Sequence, residues 1–259
     1  MNWQQQRILL IGASGGLGHA LALQFIQRGA QVIGVQRSQA KPSQTYPIIS
    51  ADITQVSDRE ALFETLGELD TELTGVVFCA GVSAVGTLPQ LSEAQIYEAV
   101  AINLTAPMLL TQGLLKLPYQ LQWLQFVGSM LGHIGYPGQA VYGASKAGLQ
   151  LFTEALRREL TTREPRILYA APRAIATPFN DGLAKTLNEA TNTSVDRPEA
   201  VALQLLDQIA RQRPNLFIGR GERIFRRLNQ WLPQVLDRGL AKVTTKLIEI
   251  ERQAMRKLS

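Results

Sequence analysis

The chain has 259 residues, of which 46% are hydrophobic and 18% charged, and its formal net charge is +5. This size and composition predict a globular protein with one well-buried core. A single cysteine, Cys79, excludes an intramolecular disulfide, and with only two histidines no metal site is expected. Neither a signal peptide nor an apolar run of the ~20 residues that span a bilayer is visible, so a cytoplasmic location is expected.

Short β-rich segments recur along the chain with helical segments between them. Several are continuous blocks of Val, Ile and Leu, a pattern typical of strands buried on both faces of a parallel sheet. The predicted strands are residues 7–12, 31–36, 46–52, 75–81, 121–129, 166–172 and 215–219.

The segments between these strands have helical periodicity. Leu17, Leu21 and Phe25 follow one another at intervals of four, and the segments after residues 54 and 91 repeat that period. Alternating strands and helices predict an α/β fold with a doubly wound (Rossmann) parallel sheet of about seven strands and helices on both faces. We expect one domain over residues 1–219 and a helical extension over residues 220–259.

A glycine-rich turn lies between the first predicted strand and the first predicted helix. Gly12 permits a tight turn, while Gly16 and Gly18 remove side chains that would block a pyrophosphate or hold helix and strand apart. Backbone amides at a helix N-terminus favour phosphate binding. The turn therefore predicts a dinucleotide site.

The end of the second strand bears on which dinucleotide is bound. Gln36 stands where a carboxylate would bond the ribose hydroxyls, and Arg37 follows it. Arginine forms charge-assisted bonds to phosphate, so NADP is favoured, with NAD as the alternative. The competing interpretation places Arg37 on a solvated loop. Asp52, after the third strand, is a candidate adenine contact.

Tyr142 and Lys146 lie four positions apart in a segment that looks helical. Residues at this spacing share a helix face, where an ammonium stabilises a phenolate and lowers the pKa of the phenol. Such a tyrosine is a candidate general acid. An ordinary amphipathic helix with a solvated lysine is the alternative for these two residues alone.

Together with the glycine spacing and Ser129, this pair resembles the short-chain dehydrogenase/reductase family over residues 7–219. The resemblance implies that Tyr142 exchanges a proton with the substrate oxygen. Lys146 would lower the pKa of that tyrosine and hold the nicotinamide ribose, and Ser129 would bond the carbonyl.

Two further positions match the family. Asn103 corresponds to an asparagine that holds a water in the proton relay, and Thr177 to a threonine that contacts the carboxamide of the cofactor. The resemblance implies cofactor contacts at Gly12, Ser14, Gly15, Gly16, Leu17, Gly18, Arg37, Asp52, Ile53, Ala80, Gly81, Tyr142, Lys146, Pro172, Ile175 and Thr177.

The function expected from this resemblance is an NADP-preferring oxidoreductase that interconverts a carbonyl and an alcohol on a small-molecule substrate. A homo-oligomer is expected and nucleic acid is not. The alternative is a non-catalytic protein that uses the same fold to sense a nucleotide or to bind a membrane or partner.

The chain departs from the family at three positions. Ile11 and Cys79 replace polar residues that join two strands, and we expect the two to lie close together in apolar packing. Arg173 replaces a glycine and either contacts phosphate or points outward. His133 precedes the tyrosine and either bonds the substrate or lies on a surface loop.

Residues 178–198 are polar and predict a mobile substrate loop, with Phe179, Leu183 and Leu187 as a candidate apolar wall. Residues 220–259 carry ten Lys or Arg against four Asp or Glu and show amphipathic periodicity. This extension packs on its own domain, pairs with a second subunit or lies on an anionic membrane surface. Membrane attachment would favour a lipophilic substrate.

Overall fold

A computed structural model describes residues 1–39, 44–69, 72–160 and 164–256, with side chains described up to residue 253. Within these residues seven strands form one parallel sheet, close to the segments predicted from the sequence. The strands are β1 Arg7–Ile11, β2 Gln31–Gln36, β3 Ile48–Ser50, β4 Gly75–Phe78, β5 Trp123–Val127, β6 Arg166–Ala171 and β7 Asn215–Phe217.

The strand order in space is β3-β2-β1-β4-β5-β6-β7. The order reverses between β1 and β4, and the carboxyl ends of neighbouring strands diverge there to leave a crevice for a ligand. Ile11 and Cys79 meet at this point, because the Cys79 N–H donates to the Ile11 carbonyl over 2.9 Å. The prediction that these two residues lie close together is confirmed.

Helices cover both faces of the sheet. They are α1 Gly16–Gln27, α2 Val56–Gly67, α3 Glu93–Val100, α4 Ala106–Leu114, α5 Ala140–Glu159, α6 Leu183–Ala190, α7 Pro198–Ala210, α8 Arg220–Trp231 and α9 Pro233–Arg256. One core lies between the sheet and α1 and α7, and the other lies between the sheet and α2, α4 and α5. Alternate strand residues enter the two cores, as in Leu9 and Leu10 of β1. The predicted doubly wound fold is confirmed.

The extension, α8 and α9, packs on the rest of the chain. Leu236 and Leu247 are buried, and Glu251 accepts hydrogen bonds from the Thr87 backbone N–H (2.7 Å) and hydroxyl (2.9 Å). Of the three interpretations of this segment, packing on its own domain is the one visible within a single chain. The division of the chain at residue 219 stays a prediction. In the part of the chain that the structure describes, no helix is both long and apolar enough to cross a membrane.

Candidate active site

A cavity of about 710 Å³ opens at the carboxyl ends of the central strands. The predicted site residues from both halves of the chain line it. They are Gly12, Ser14, Gly15, Gly16, Leu17, Gly18, Arg37, Asp52, Ile53, Ala80, Gly81, Ser129, Tyr142, Lys146, Pro172, Ile175 and Thr177. Asn103 is the exception, since it lies behind this wall.

The glycine turn is formed by close backbone approach. Gly12 has a φ of +91°, and a Cβ at this position would lie 2.5 Å from the Ala80 nitrogen. A Cβ on Gly18 would collide with the Gly12 carbonyl oxygen, so this glycine lets α1 approach β1 closely. Gly16 faces Thr177, whose Cγ2 would lie 2.5 Å from an added Cβ.

The start of α1 suits the phosphates of a dinucleotide. Among the residues that the structure describes, no side chain caps the helix at Gly15, so its first amides are open to an anion at the positive end of the helix dipole. Ser14 and Gly15 are exposed within the cavity wall. The turn, the cavity volume and the Lys146 ammonium at the far end fit a nicotinamide dinucleotide lying across the crevice.

The described rim beyond β2 includes the guanidinium of Arg37 and the hydrogen-bonded carboxylate of Asp52. Arg37 is exposed, and its Nη1 lies 3.6 Å from Glu98 Oε1. Asp52 Oδ1 accepts hydrogen bonds from the Thr54 N–H (2.9 Å) and hydroxyl (2.7 Å). The Thr54 hydroxyl, and more weakly Arg37, lower the pKa of Asp52. This carboxylate therefore stabilises its own turn while it borders the cavity.

Ser129, Tyr142 and Lys146 meet at the other end of the cavity. Ser129 follows β5 and its Oγ accepts the Leu131 N–H over 3.1 Å, while Tyr142 and Lys146 share one face of α5. The Lys146 Nζ donates to the Val127 carbonyl over 3.1 Å and lies 5.9 Å from the centre of the Tyr142 ring. All three side chains are buried.

Burial sets the protonation of this cluster. It raises the pKa of Tyr142 to about 12, while hydrogen bonding to Ser129 acts in the opposite direction. It also lowers the pKa of Lys146 to about 8. The sequence-based expectation of a lowered tyrosine pKa is therefore wrong. Desolvation of the phenol outweighs any effect of the ammonium, which is directed at a carbonyl.

Asn103 lies in a π-helical turn, Ala101–Thr105, between α3 and α4. Its Oδ1 accepts the Val82 N–H over 2.9 Å, and its Nδ2 donates to the Val82 carbonyl (3.0 Å) and to Ser145 Oγ (3.1 Å). Gly81 lines the cavity beside this amide, since a Cβ there would lie 3.1 Å from Asn103 Oδ1 and 3.5 Å from Lys146 Nζ. The asparagine thus braces the loop beside the lysine.

Arg173 does not simply point outward. It lines the cavity and forms ion pairs with Asp196 at 2.7 Å and Glu222 at 3.7 Å. A contact between Arg173 and phosphate stays a prediction. His133 lies half-buried in the loop after Ser129, and it is not among the described residues that line the cavity. Its ring packs on Phe217 at 5.1 Å between centroids and on Tyr169 at 5.9 Å, and burial lowers its pKa to about 4.

The sequence analysis missed several residues at the site. Ser145 bonds Asn103, a role that its position three residues after Tyr142 on the same helix face could have signalled. Phe225, Leu236 and Leu240 of the extension line the cavity beside Phe179, whose ring centre lies 5.7 Å from that of Tyr142. Helical periodicity alone gives no sign of which cavity such residues border.

Comparisons with known proteins show the family of the chain. A sequence model of the short chain dehydrogenase family matches residues 6–188. The chain is 30% identical over 202 residues to the 3-oxoacyl-(acyl-carrier-protein) reductase FabG of Pseudomonas aeruginosa, covering 73% of this chain and 82% of that protein. It is 27% identical over 186 residues to carbonyl reductase family member 4 of Danio rerio, covering 68% and 78%.

Solved structures show the same fold. A short chain dehydrogenase from Burkholderia cenocepacia in complex with NADP superposes with a TM-score of 0.79 at 17% identity, covering 93% of this chain and 99% of that one. A family protein from Burkholderia phymatum in complex with NAD gives 0.80 at 16% identity, covering 91% and 96%. With its glycine turn and its Ser129, Tyr142 and Lys146 on one cavity, the chain belongs to the short-chain dehydrogenase/reductase family of oxidoreductases.

Proposed function

We propose that this protein is an NADP-preferring reductase that converts a carbonyl to an alcohol, with Tyr142 as the proton donor. The observation that carries the proposal is the meeting of Ser129, Tyr142 and Lys146 with the glycine turn on one cavity. A sensor of nucleotides would need the turn alone. A buried phenol, hydroxyl and ammonium beside it are the groups that a reduced carbonyl requires.

Each group has a separate task in this proposal. The bound nicotinamide supplies the hydride. Ser129 donates a hydrogen bond that orients the substrate oxygen, and Tyr142 delivers its proton to that oxygen as negative charge develops. A tyrosine pKa of about 12 keeps the phenol protonated at neutral pH, so Tyr142 holds a proton that it can donate. Lys146 provides positive charge beside the ribose, and Asn103 holds the adjacent loop.

The preference for NADP rests on the rim of the cavity. Arg37 borders it, Gln36 stands in place of an acid, and Asp52 is engaged by Thr54. A 2′-phosphate at this rim would meet a guanidinium, and no carboxylate ends β2. The names of the relatives from Pseudomonas aeruginosa and Danio rerio support the reduction of a carbonyl group.

The protein is also proposed to be a homo-oligomer and to be cytoplasmic. Leu109 and Leu151 are exposed on α4 and α5, which supports a homo-oligomer. A cytoplasmic location is expected for a nicotinamide-dependent reductase.

The test is Tyr142→Phe, which removes the proton donor and keeps the ring. NADPH oxidation should be followed over aldehydes, ketones, quinones and acyl-carrier substrates, with NADPH binding measured by fluorescence. We expect kcat to fall at least ~100-fold while the Kd for NADPH changes less than about twofold. Tyr97→Phe, on an exposed tyrosine of α3, is the matched control. Tight NADPH binding by wild type without turnover of any substrate would instead support a nucleotide sensor.

A further inference from the structure

Helix α8 is attached to the protein through its polar side. Glu222 reaches Arg173 at 3.7 Å, and Asn229 Nδ2 donates to the His133 carbonyl over 3.2 Å. The guanidinium of Arg226 lies 4.3 Å from the centre of the Phe217 ring. These three residues of α8 follow one another at intervals of four and three, so they form one face of the helix. A surface helix normally buries its apolar face instead.

The opposite side of α8 is apolar and faces solvent. Ile224 is 68% exposed and Trp231, seven residues later on the same face, is 82% exposed. The apolar surface continues across the turn into α9 through Leu232 and Val235, which are 55% and 51% exposed. We call these four residues the elbow face. Contiguous exposed apolar surfaces of this kind mark interaction sites.

The charges around the elbow face indicate its partner. Arg220 and Arg227 lie four residues before and three residues after Ile224, so they flank it on α8, and Arg238 follows in α9. All three are exposed. Glu222 is turned inward to Arg173, which leaves Asp237 as the acid of this segment on the outer side. Aromatic and aliphatic side chains bordered by arginines are typical of helices that lie at an anionic lipid surface.

We propose that the elbow face docks on an anionic lipid bilayer, with Ile224 and Trp231 inserted at the interface and Arg220, Arg227 and Arg238 at the headgroups. A second copy of the chain fits less well. A twofold interface places the same patch against itself, so the arginines of both copies would meet like charges.

The same two helices form part of the wall of the cavity. Phe225 of α8 and Leu236 and Leu240 of α9 line it, beside Phe179 and Leu187. Docking would therefore bring the apolar end of the cavity to the lipid surface. Resting on the proposed carbonyl reduction, we infer that the substrate is a lipophilic carbonyl compound taken up at that surface.

The docking test is flotation of the full chain with vesicles of phosphatidylcholine alone or mixed with phosphatidylglycerol. Wild type should float with the anionic vesicles only. The double variant Ile224→Ser with Trp231→Ser should reduce the bound fraction at least about tenfold, because it removes the inserted side chains. The control is Val56→Ser with Tyr97→Ser, which changes two residues of similar exposure on α2 and α3 and should float as wild type.

The charged residues have a separate variant. Arg220→Gln with Arg227→Gln should weaken binding to anionic vesicles and make the remainder less sensitive to salt. Equal flotation of wild type and the serine double variant, or equal binding to neutral and anionic vesicles, overturns docking. So does a serine double variant that changes a wild-type dimer to a monomer in light scattering, since a second copy then covers the face.

The substrate class has its own readout. With a long-chain aldehyde dissolved in anionic vesicles, the serine double variant should show a raised KM, whereas its kcat/KM for a short water-soluble aldehyde should match wild type. An unchanged KM for both overturns the inferred substrate class. Flotation does not depend on turnover, so Tyr142→Phe should float as wild type. Flotation without reduction of any carbonyl contradicts the proposed function and leaves docking supported.

Discussion

The active-site end of the sheet and the C-terminal helices use polar residues in opposite ways. Beside the carboxyl ends of the strands, Lys146 and Asn103 are buried, and each donates a hydrogen bond to a backbone carbonyl. In α8, polar side chains hold the helix against the protein while Ile224 and Trp231 face outward. A helical period shows that a helix has two faces, but only its neighbours decide which face is turned inward.

The largest difference is expected between glycines of the two regions. Gly18→Ala places a methyl group against the Gly12 carbonyl. We expect the free energy of unfolding to fall by about 3 kcal/mol or more and NADPH binding to be lost. In Gly239→Ala, in α9, the added methyl group meets no atom of the described residues within 4 Å, and the protein should be stabilised by about 0.5 to 1 kcal/mol. Urea unfolding and NADPH titration measure both. A Gly18→Ala variant as stable as wild type would show that the turn can make room for a methyl group.

The second prediction concerns the pH dependence of stability at Lys146. Its pKa falls from 10.5 to about 8 on folding, so between these values the unfolded chain holds a proton that the folded chain has lost. Stability therefore rises with pH in that window, by roughly 3 kcal/mol at ~1.36 kcal/mol per pKa unit. The free energy of unfolding should therefore be measured for wild type and for Lys146→Met. The difference, wild type minus variant, should increase by this amount between pH 8 and pH 10.5. Lys242→Met, at an exposed position of α9, should show no such change.

The third prediction tests the rim of the cavity. Arg37→Asp should lower the ratio of kcat/KM with NADPH to that with NADH at least about tenfold, because a carboxylate repels the 2′-phosphate and accepts ribose hydroxyls. Arg227→Asp changes an exposed arginine of α8 and should leave the ratio as in wild type. An unchanged ratio in Arg37→Asp would show that the phosphate site lies elsewhere.

The smallest effect is expected where the two regions join. Arg173→Gln removes the ion pairs of Arg173 with Asp196 and Glu222. Because these pairs are partly exposed, the free energy of unfolding should fall by about 1 kcal/mol. Hydrogen exchange of α8 should increase in this variant. Arg211→Gln breaks an exposed pair with Asp207 on α7 and should change neither quantity measurably. Unaltered exchange in Arg173→Gln would mean that other contacts hold α8.

Local constraints explain which features could be predicted. The strands could be predicted from uninterrupted apolar runs. The turn could be predicted from its glycines, such as Gly12, which has a positive φ that other residues rarely adopt. The pairing of Tyr142 with Lys146 followed from helical spacing. The roles of these residues in turnover stay predictions until the variants are measured.

The sequence by itself determined the elements, the glycine turn and the set of polar residues at the ends of the strands, because these depend on backbone geometry and short-range periodicity. Tertiary structure decided the rest. Desolvation in the folded core raised the pKa of Tyr142. Folding also brought Arg173 and Glu222, which are 49 positions apart in the sequence, into an ion pair. The polar side of α8 likewise faces inward because it contacts His133 and Phe217. His133 is distant from α8 in the sequence, and Phe217 belongs to β7. Burial and long-range pairing are properties of the assembled chain, and no local pattern encodes them.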